Sequence, residues 1–292
     1  MQKILINGRP LAYRTWGEPN NPLLLFLHGF PEYSGAWSDL AAQLKDHYFC
    51  VAPDQRGYGE SWRPSDVSDY LTSKLVADIA GLIEHIGRPF AVVGHDWGAS
   101  VAYALAITRP DLVDRLIIMN GVHPIPFQRE LLKGGDQTKS SQYIHFLRAE
   151  GSEGVLAKNN FAKLIDLFSA KMDLSWMTPE VRDDYVAAWR DEAGLGAMIN
   201  WYRASPLIVA KPDEPILPKR EFDPSKLRIT MPHLLIWGVN DTALLPVSYE
   251  GLEDLCEDLT VTKIEGADHW LHHQKPAEIA DIMRDWLATA IG

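Results

Sequence analysis

The sequence predicts an α/β fold: a mostly parallel central sheet flanked by helices, interrupted once by an inserted helical cap. Three observations point there. Leu23–Leu27 is apolar at every position, the pattern of a strand buried on both faces. A strand at 90–93, a helix over Trp97–Thr108 stopped by Pro110 and a strand over Leu116–Met119 give the β-α-β alternation of a parallel sheet. That rhythm then lapses for about a hundred residues of helix-like and Pro-rich chain before a strand at 232–237 resumes it.

Taken in order, short apolar runs at 3–6, 11–16, Leu23–Leu27 and 48–52 read as strands. Over Thr72–Ile86 the residues Leu75, Val76, Ile79, Leu82, Ile83 and Ile86 recur at helical spacing, and Gly87 closes the segment. The stretch 123–228 is assigned to the cap, and 1–122 with 229–292 to the core. A helix at 247–256, a strand over Leu259–Ile264 and a final amphipathic helix at 276–291 complete the core.

Composition narrows the function. At 292 residues, 46% hydrophobic and 23% charged, the chain has ample material for one core plus an insertion. A net charge of -11, with no long Lys/Arg run, repels phosphate backbones and anionic lipid, which argues against nucleic acid or a membrane surface as partner. No apolar stretch approaches the roughly 20 residues of a membrane span, so a cytoplasmic protein is expected. Cys50 and Cys256, far apart in sequence, read as two reduced, buried thiols.

Gly94-His95-Asp96-Trp97-Gly98 lies between a predicted strand and a predicted helix. Glycines on both sides suit a sharp elbow that displays one side chain above the sheet edge, where open parallel sheets bind ligands. The displayed residue is Asp96. A carboxylate there is either a nucleophile or a helix cap, and the pentapeptide alone leaves both open. Its partners decide. Asp241 follows the strand at 232–237 and His269 follows Leu259–Ile264, which gives the chain order nucleophile, acid, histidine. Asp268 is a rival acid, but neighbouring side chains rarely face each other. Asn120 occupies an alternative acid position and carries no charge. The backbone N–H groups of Phe30, in His28-Gly29-Phe30-Pro31, and of Trp97 are the expected oxyanion donors. His269-x-x-His272-His273 could hold a metal by helical spacing, but no carboxylate or cysteine cluster in the sequence completes such a site, so neither metal nor cofactor is expected.

Over essentially its whole length the chain resembles the epoxide hydrolases of the α/β-hydrolase superfamily. The resemblance rests on His28-Gly29-Phe30-Pro31-Glu32, Asp54-Gln55-Arg56-Gly57-Tyr58-Gly59-Glu60-Ser61, the Asp96 pentapeptide, Asp241 and Asp268-His269. Gln142-Tyr143-Ile144-His145-Phe146 and Asn200-Trp201-Tyr202-Arg203 match the family's cap segments. The resemblance implies that Tyr143 and Tyr202 reach down to hydrogen-bond an epoxide oxygen; ordinary packing of aromatics is the other reading. His145 either lines the pocket or packs.

The chemistry implied is displacement on a saturated carbon of a small, largely apolar epoxide. A carboxylate is ionised at neutral pH and needs no activation; the phenols protonate the alkoxide; His269, oriented by Asp241, activates the water that cleaves the resulting ester. Haloalkane and fluoroacetate dehalogenases share the aspartate and are the alternative, but they commonly carry Asn or Glu where Phe30 stands, or arginine where Trp97 stands. A small-molecule receptor with a vestigial site is a third reading.

Overall fold

Alternation within the strands builds the core. In β3 (Leu23–Leu27), Leu23, Leu25 and Leu27 join the apolar cluster on one face of the sheet, while Leu24 and Phe26 join that on the other. In β7 (His233–Gly238), Leu235 and Trp237 face one way, Leu234 and Ile236 the other, and all four are fully buried. Each such side chain contributes roughly 1.5–3 kcal/mol by leaving water, so these central strands anchor the sheet. The computed structural model describes residues 1–169, 172–217 and 222–289.

The remaining strands are β1 (Gln2–Ile6), β2 (Arg9–Trp16), β4 (Phe49–Pro53), β5 (Ala91–His95), β6 (Leu116–Met119) and β8 (Leu259–Ile264). They form one sheet in the order β1-β2-β4-β3-β5-β6-β7-β8. The β1–β2 and β2–β4 pairs are antiparallel; every other pair is parallel. Register keeps the carboxyl ends of the parallel strands level: Leu27 pairs with Gly94, His95 with Met119, Met119 with Ile236, and Gly238 with Ile264. Residues just beyond these pairs therefore emerge along one rim.

Helices α1 (Ser38–Leu44), α2 (Thr72–Ile86) and α3 (Trp97–Thr108) belong to the first part of the chain. Between β6 and β7 lie α4 (Pro124–Leu132), α5 (Asp136–Ser140), α6 (Tyr143–Arg148), α7 (Ser152–Leu156), α8 (Lys158–Ser169), α9 (Pro179–Trp189) and α10 (Glu192–Ala204). After β8 come α11 (Leu271–Gln274) and α12 (Pro276–Ala288). The helical stretch between β6 and β7 is pinned to core loops by indole donors: Trp189 Nε1 to the Pro31 carbonyl at 2.6 Å and Trp201 Nε1 to the Arg56 carbonyl at 2.9 Å.

Three expectations change. The helix expected at 247–256 is two short 3-10 turns, Pro246–Ser248 and Leu252–Leu255, separated by Gly251 in the left-handed region (φ 84°), which a continuing helix cannot adopt. The last helix ends at Ala288, and the Ile291 end of that expectation lies outside the described residues. Helices α1 and α11, of seven and four residues, are too short for a helical repeat of apolar positions to stand out and were not expected. Cys50 and Cys256 are free and buried, as expected, and burial raises each thiol to about 12. No helix among the described residues is long and apolar enough to cross a membrane.

Candidate active site

Asp96 follows β5 and precedes α3 with φ 49° and ψ −119°, a conformation strained for any residue with a side chain. Its neighbours explain how the strain is tolerated. A Cβ on Gly98 would lie 2.0 Å from the Leu27 carbonyl oxygen, and one on Gly94 would lie 2.7 Å from Ala99 Cα, so the elbow closes only with glycine at both positions. Gly29 is equally constrained, since a Cβ there would stand 2.4 Å from that of Asp96. The Asp96 side chain makes no capping bond to α3, although it precedes that helix. It faces the other rim loops instead.

His269, beyond β8, presents Nε2 to Asp96 Oδ2 at 3.6 Å and Nδ1 to Asp241 Oδ2 at 2.7 Å. Asp241, in the loop after β7, accepts from four donors among the described residues: His269 Nδ1, Asn120 Nδ2 at 2.7 Å, and the backbone N–H groups of Ala243 and Leu244 at 2.8 and 2.9 Å. Asn120, just past β6, is also tied to Gly238, donating to its carbonyl and accepting from its N–H. A residue set aside for lacking a charge thus holds the acid in place. Asp268, the rival acid, accepts from the backbone N–H groups of Asp173 and Trp270 and fixes the loop.

Burial alone would raise the Asp96 carboxyl, but the charge of the His269 ring 3.6 Å away, with smaller contributions from His95 and the Phe30 N–H, holds it below its ordinary value. For His269 the balance is opposite in sign. Burial disfavours the charged ring, yet the charge and hydrogen bond of Asp241, and then the nearby charge of Asp96, raise it well above its ordinary value. Two carboxylates on one imidazole favour an imidazolium between them.

Of the two expected backbone donors, the Phe30 N–H reaches Asp96 Oδ1 at 2.8 Å. Trp97 opens α3, where a helix offers its N–H no internal acceptor, but no hydrogen bond from it to the carboxylate is present among the described residues. Tyr143, on α6, and Tyr202, on α10, stand with ring centres 6.2 Å apart at 78°, and Tyr202 packs edge-on against Phe30 and Trp97. Both tyrosines line, with Asp96 and His269, a cavity of about 530 Å³. Burial, reinforced by the Asp96 charge, raises both phenols, so they stay protonated and able to donate. His145 is exposed on α6 and does not line this cavity.

Glu32, fully buried behind the site, was missed as a functional residue. Its Oε1 accepts from His272 Nε2 (3.0 Å), His273 Nε2 (2.9 Å) and Tyr185 OH (3.1 Å), and Oε2 lies 2.9 Å from His95 Nδ1. The imidazoles outweigh burial and lower its pKa well below the ordinary carboxylate range. His95 Nε2 in turn meets the His269 carbonyl at 2.8 Å. The His95 ring thus links buried Glu32 directly to the backbone of His269. His272, pushed down to about 3 by burial, is neutral. The expectation that no carboxylate completes a cluster with these histidines is therefore corrected: Glu32 does, with the donor atoms of Glu32, His272 and His273 all within 4.8 Å of one another. His269 is not part of it, because its Nε2 faces Asp96. Glu32 and His272 are 240 residues apart in the chain, and only the fold brings them together.

Residues 22–276 match the family described as the alpha/beta hydrolase fold. The chain is 32% identical to the AB hydrolase superfamily protein YfhM of Bacillus subtilis, over 98% of this chain and 97% of that one. It is 33% identical to Epoxide hydrolase 1 of Caenorhabditis elegans, over 95% of this chain and 67% of that protein. Among solved structures, one described under novel epoxide hydrolases from metagenomes of hot environments superposes with a TM-score of 0.90 at 35% identity, covering 98% of this chain and 97% of that one. Sheet order, elbow and these similarities agree, and the chain belongs to the α/β-hydrolase superfamily, within the group of its epoxide hydrolases.

Proposed function

We propose that this protein converts an epoxide to a vicinal diol through a covalent ester on Asp96, beneath a cap formed by residues 123–228. The observation that carries the reading is one cavity in which an ionised carboxylate on a strained elbow and two protonated phenols line the same space, with His269 and Asp241 behind. The relatives named epoxide hydrolases support it.

In the first step an Asp96 oxygen attacks an epoxide carbon, the C–O bond of the ring breaks, and the departing alkoxide takes a proton from Tyr143 or Tyr202. Ester formation removes the Asp96 charge, one of the two that raise His269, so the imidazolium sheds its proton and the phenolate recovers one. Neutral His269 then takes a proton from water as the hydroxide adds to the ester carbonyl, and the Phe30 N–H, joined by that of Trp97, stabilises the oxyanion. Collapse expels the second alkoxide, which receives the proton of the new carboxyl group. Asp96 is again a carboxylate, His269 an imidazolium, and the sum is epoxide plus water giving diol.

A single turnover in 18O-water, with enzyme in excess over a simple aryl epoxide, tests the scheme. Heavy oxygen should enter the Asp96 carboxylate and be absent from the diol. Label in the first-turnover diol would mean direct attack by water, and halide release from haloalkanes with no diol from any epoxide would favour dehalogenation by the same aspartate.

A further inference from the structure

A second cavity, about 240 Å³, shares Asp96, Tyr143 and Tyr202 with the first and is otherwise lined by different residues. One face of α3 forms its floor. Trp97, Ser100, Ala104, Ile107 and Thr108 recur at helical spacing, and the small side chains at 100 and 104 leave the room. Phe127, Leu207, Leu227 and Leu244 also line it. Among the described residues the only charged side chain on its wall is Asp96, and exposed Thr72 and Thr108 mark where it meets the surface. The larger cavity reaches exposed Lys139 instead.

This arrangement constrains the substrate, given the epoxide-opening reading above. In-line displacement puts Asp96 on one side of the attacked carbon and the departing oxygen, held by the tyrosines, on the other. The carbon–carbon bond of the ring then lies across the line from carboxylate to phenols, and substituents on its two carbons diverge into the two cavities. A terminal epoxide leaves one cavity unfilled. We infer that the preferred substrates are internal epoxides, substituted on both carbons, with the shorter substituent a bare hydrocarbon seated against the Ser100–Ala104 face of α3. Because that wall carries carbon almost throughout, each methylene placed there should raise kcat/KM about fourfold.

The test holds the long arm constant. Diol formation is measured for 1,2-epoxyheptane, trans-2,3-epoxyoctane and trans-3,4-epoxynonane, which keep a pentyl group on one carbon and place hydrogen, methyl or ethyl on the other. The expected result is a rise of about tenfold or more across the series. Ala104→Phe, and separately Leu207→Trp at another lining position, should bring the ratio of kcat/KM for trans-3,4-epoxynonane over 1,2-epoxyheptane to one or below. A flat or falling series in the parent enzyme, or an unchanged ratio in both variants, overturns the inference while leaving epoxide hydrolysis standing. Absence of diol from all three substrates overturns the epoxide reading itself, and this inference with it.

Discussion

Asn120 Nδ2 lies 2.7 Å from Asp241 Oδ2, the same oxygen that accepts from His269 Nδ1. The carboxylate that orients the base is thus itself oriented, by a side chain held in turn on Gly238 at the end of β7.

Asn120→Leu should therefore weaken the second half-reaction more than the first. A hydrogen bond to a charged group contributes about 1.5–3 kcal/mol, so ester hydrolysis is expected to slow on the order of 10- to 100-fold. Ester formation, which uses Asp96 and the tyrosines, should change little. Rapid-quench single-turnover kinetics separate the two, and equal losses in both steps would reject the assignment.

His269→Gln should stop the reaction at the ester. Asp96 retains the Phe30 N–H at 2.8 Å and can still open the ring, but no group remains to deprotonate water. Intact-protein mass spectrometry after mixing with an epoxide should show one adduct, and peptide mapping should place it on Asp96. Full turnover by this variant would exclude His269 as the base.

Tyr143→Phe and Tyr202→Phe should each slow ring opening by about tenfold, since one phenol remains, and the double variant by roughly a hundredfold or more. Binding of a non-reactive diol or amide analogue should weaken less than the rate falls. Unaltered ring opening in the double variant would return both residues to packing roles.

How far these residues were legible in the sequence depended on locality. Asp96 announced itself because the elbow needs glycine at 94 and 98 within one pentapeptide, and Asp241 and His269 because each follows a recognisable strand. Asn120 stood at the end of β6 and could be located, but its role depends on a contact with a residue 121 positions away. Glu32 was harder still. Its partners come from β5, α9 and α11, and no short-range pattern marks a carboxylate that four side chains will surround. The second cavity shows the same limit: Ser100 and Ala104 read as ordinary small helix residues until the chain between β6 and β7 folds over them.

Glu32→Gln tests that buried hub. The substitution keeps the shape but removes the charge that four buried side chains face, and removing one partner of a buried charged network typically costs about 3–5 kcal/mol. A fall in Tm of roughly 10 °C is expected by calorimetry, with ester hydrolysis impaired beyond ring opening because His95 holds the His269 carbonyl at 2.8 Å. A variant as stable as the parent would show that the Glu32 charge does not hold this cluster together.

The opposite displacements of Asp96 and His269 predict how stability follows pH. His269 is raised above its ordinary 6.5, so its protonated ring contributes stability that is fully present below pH 6.5 and is lost as pH rises through the raised value. Asp96 is lowered below its ordinary 3.8, so its contribution is present above pH 3.8 and is lost as pH falls through the lowered value. Between these limits the imidazolium lies among two carboxylates. His269→Gln leaves Asp96 and Asp241 facing a neutral amide, so the Tm difference between parent and variant should be widest from about pH 4 to 6.5 and should narrow as alkali deprotonates the parent's ring. Differential scanning calorimetry across this range decides it: a gap that widens with rising pH would mean that His269 is neutral in the resting site, and the loss of a proton on ester formation would then have no place in the mechanism.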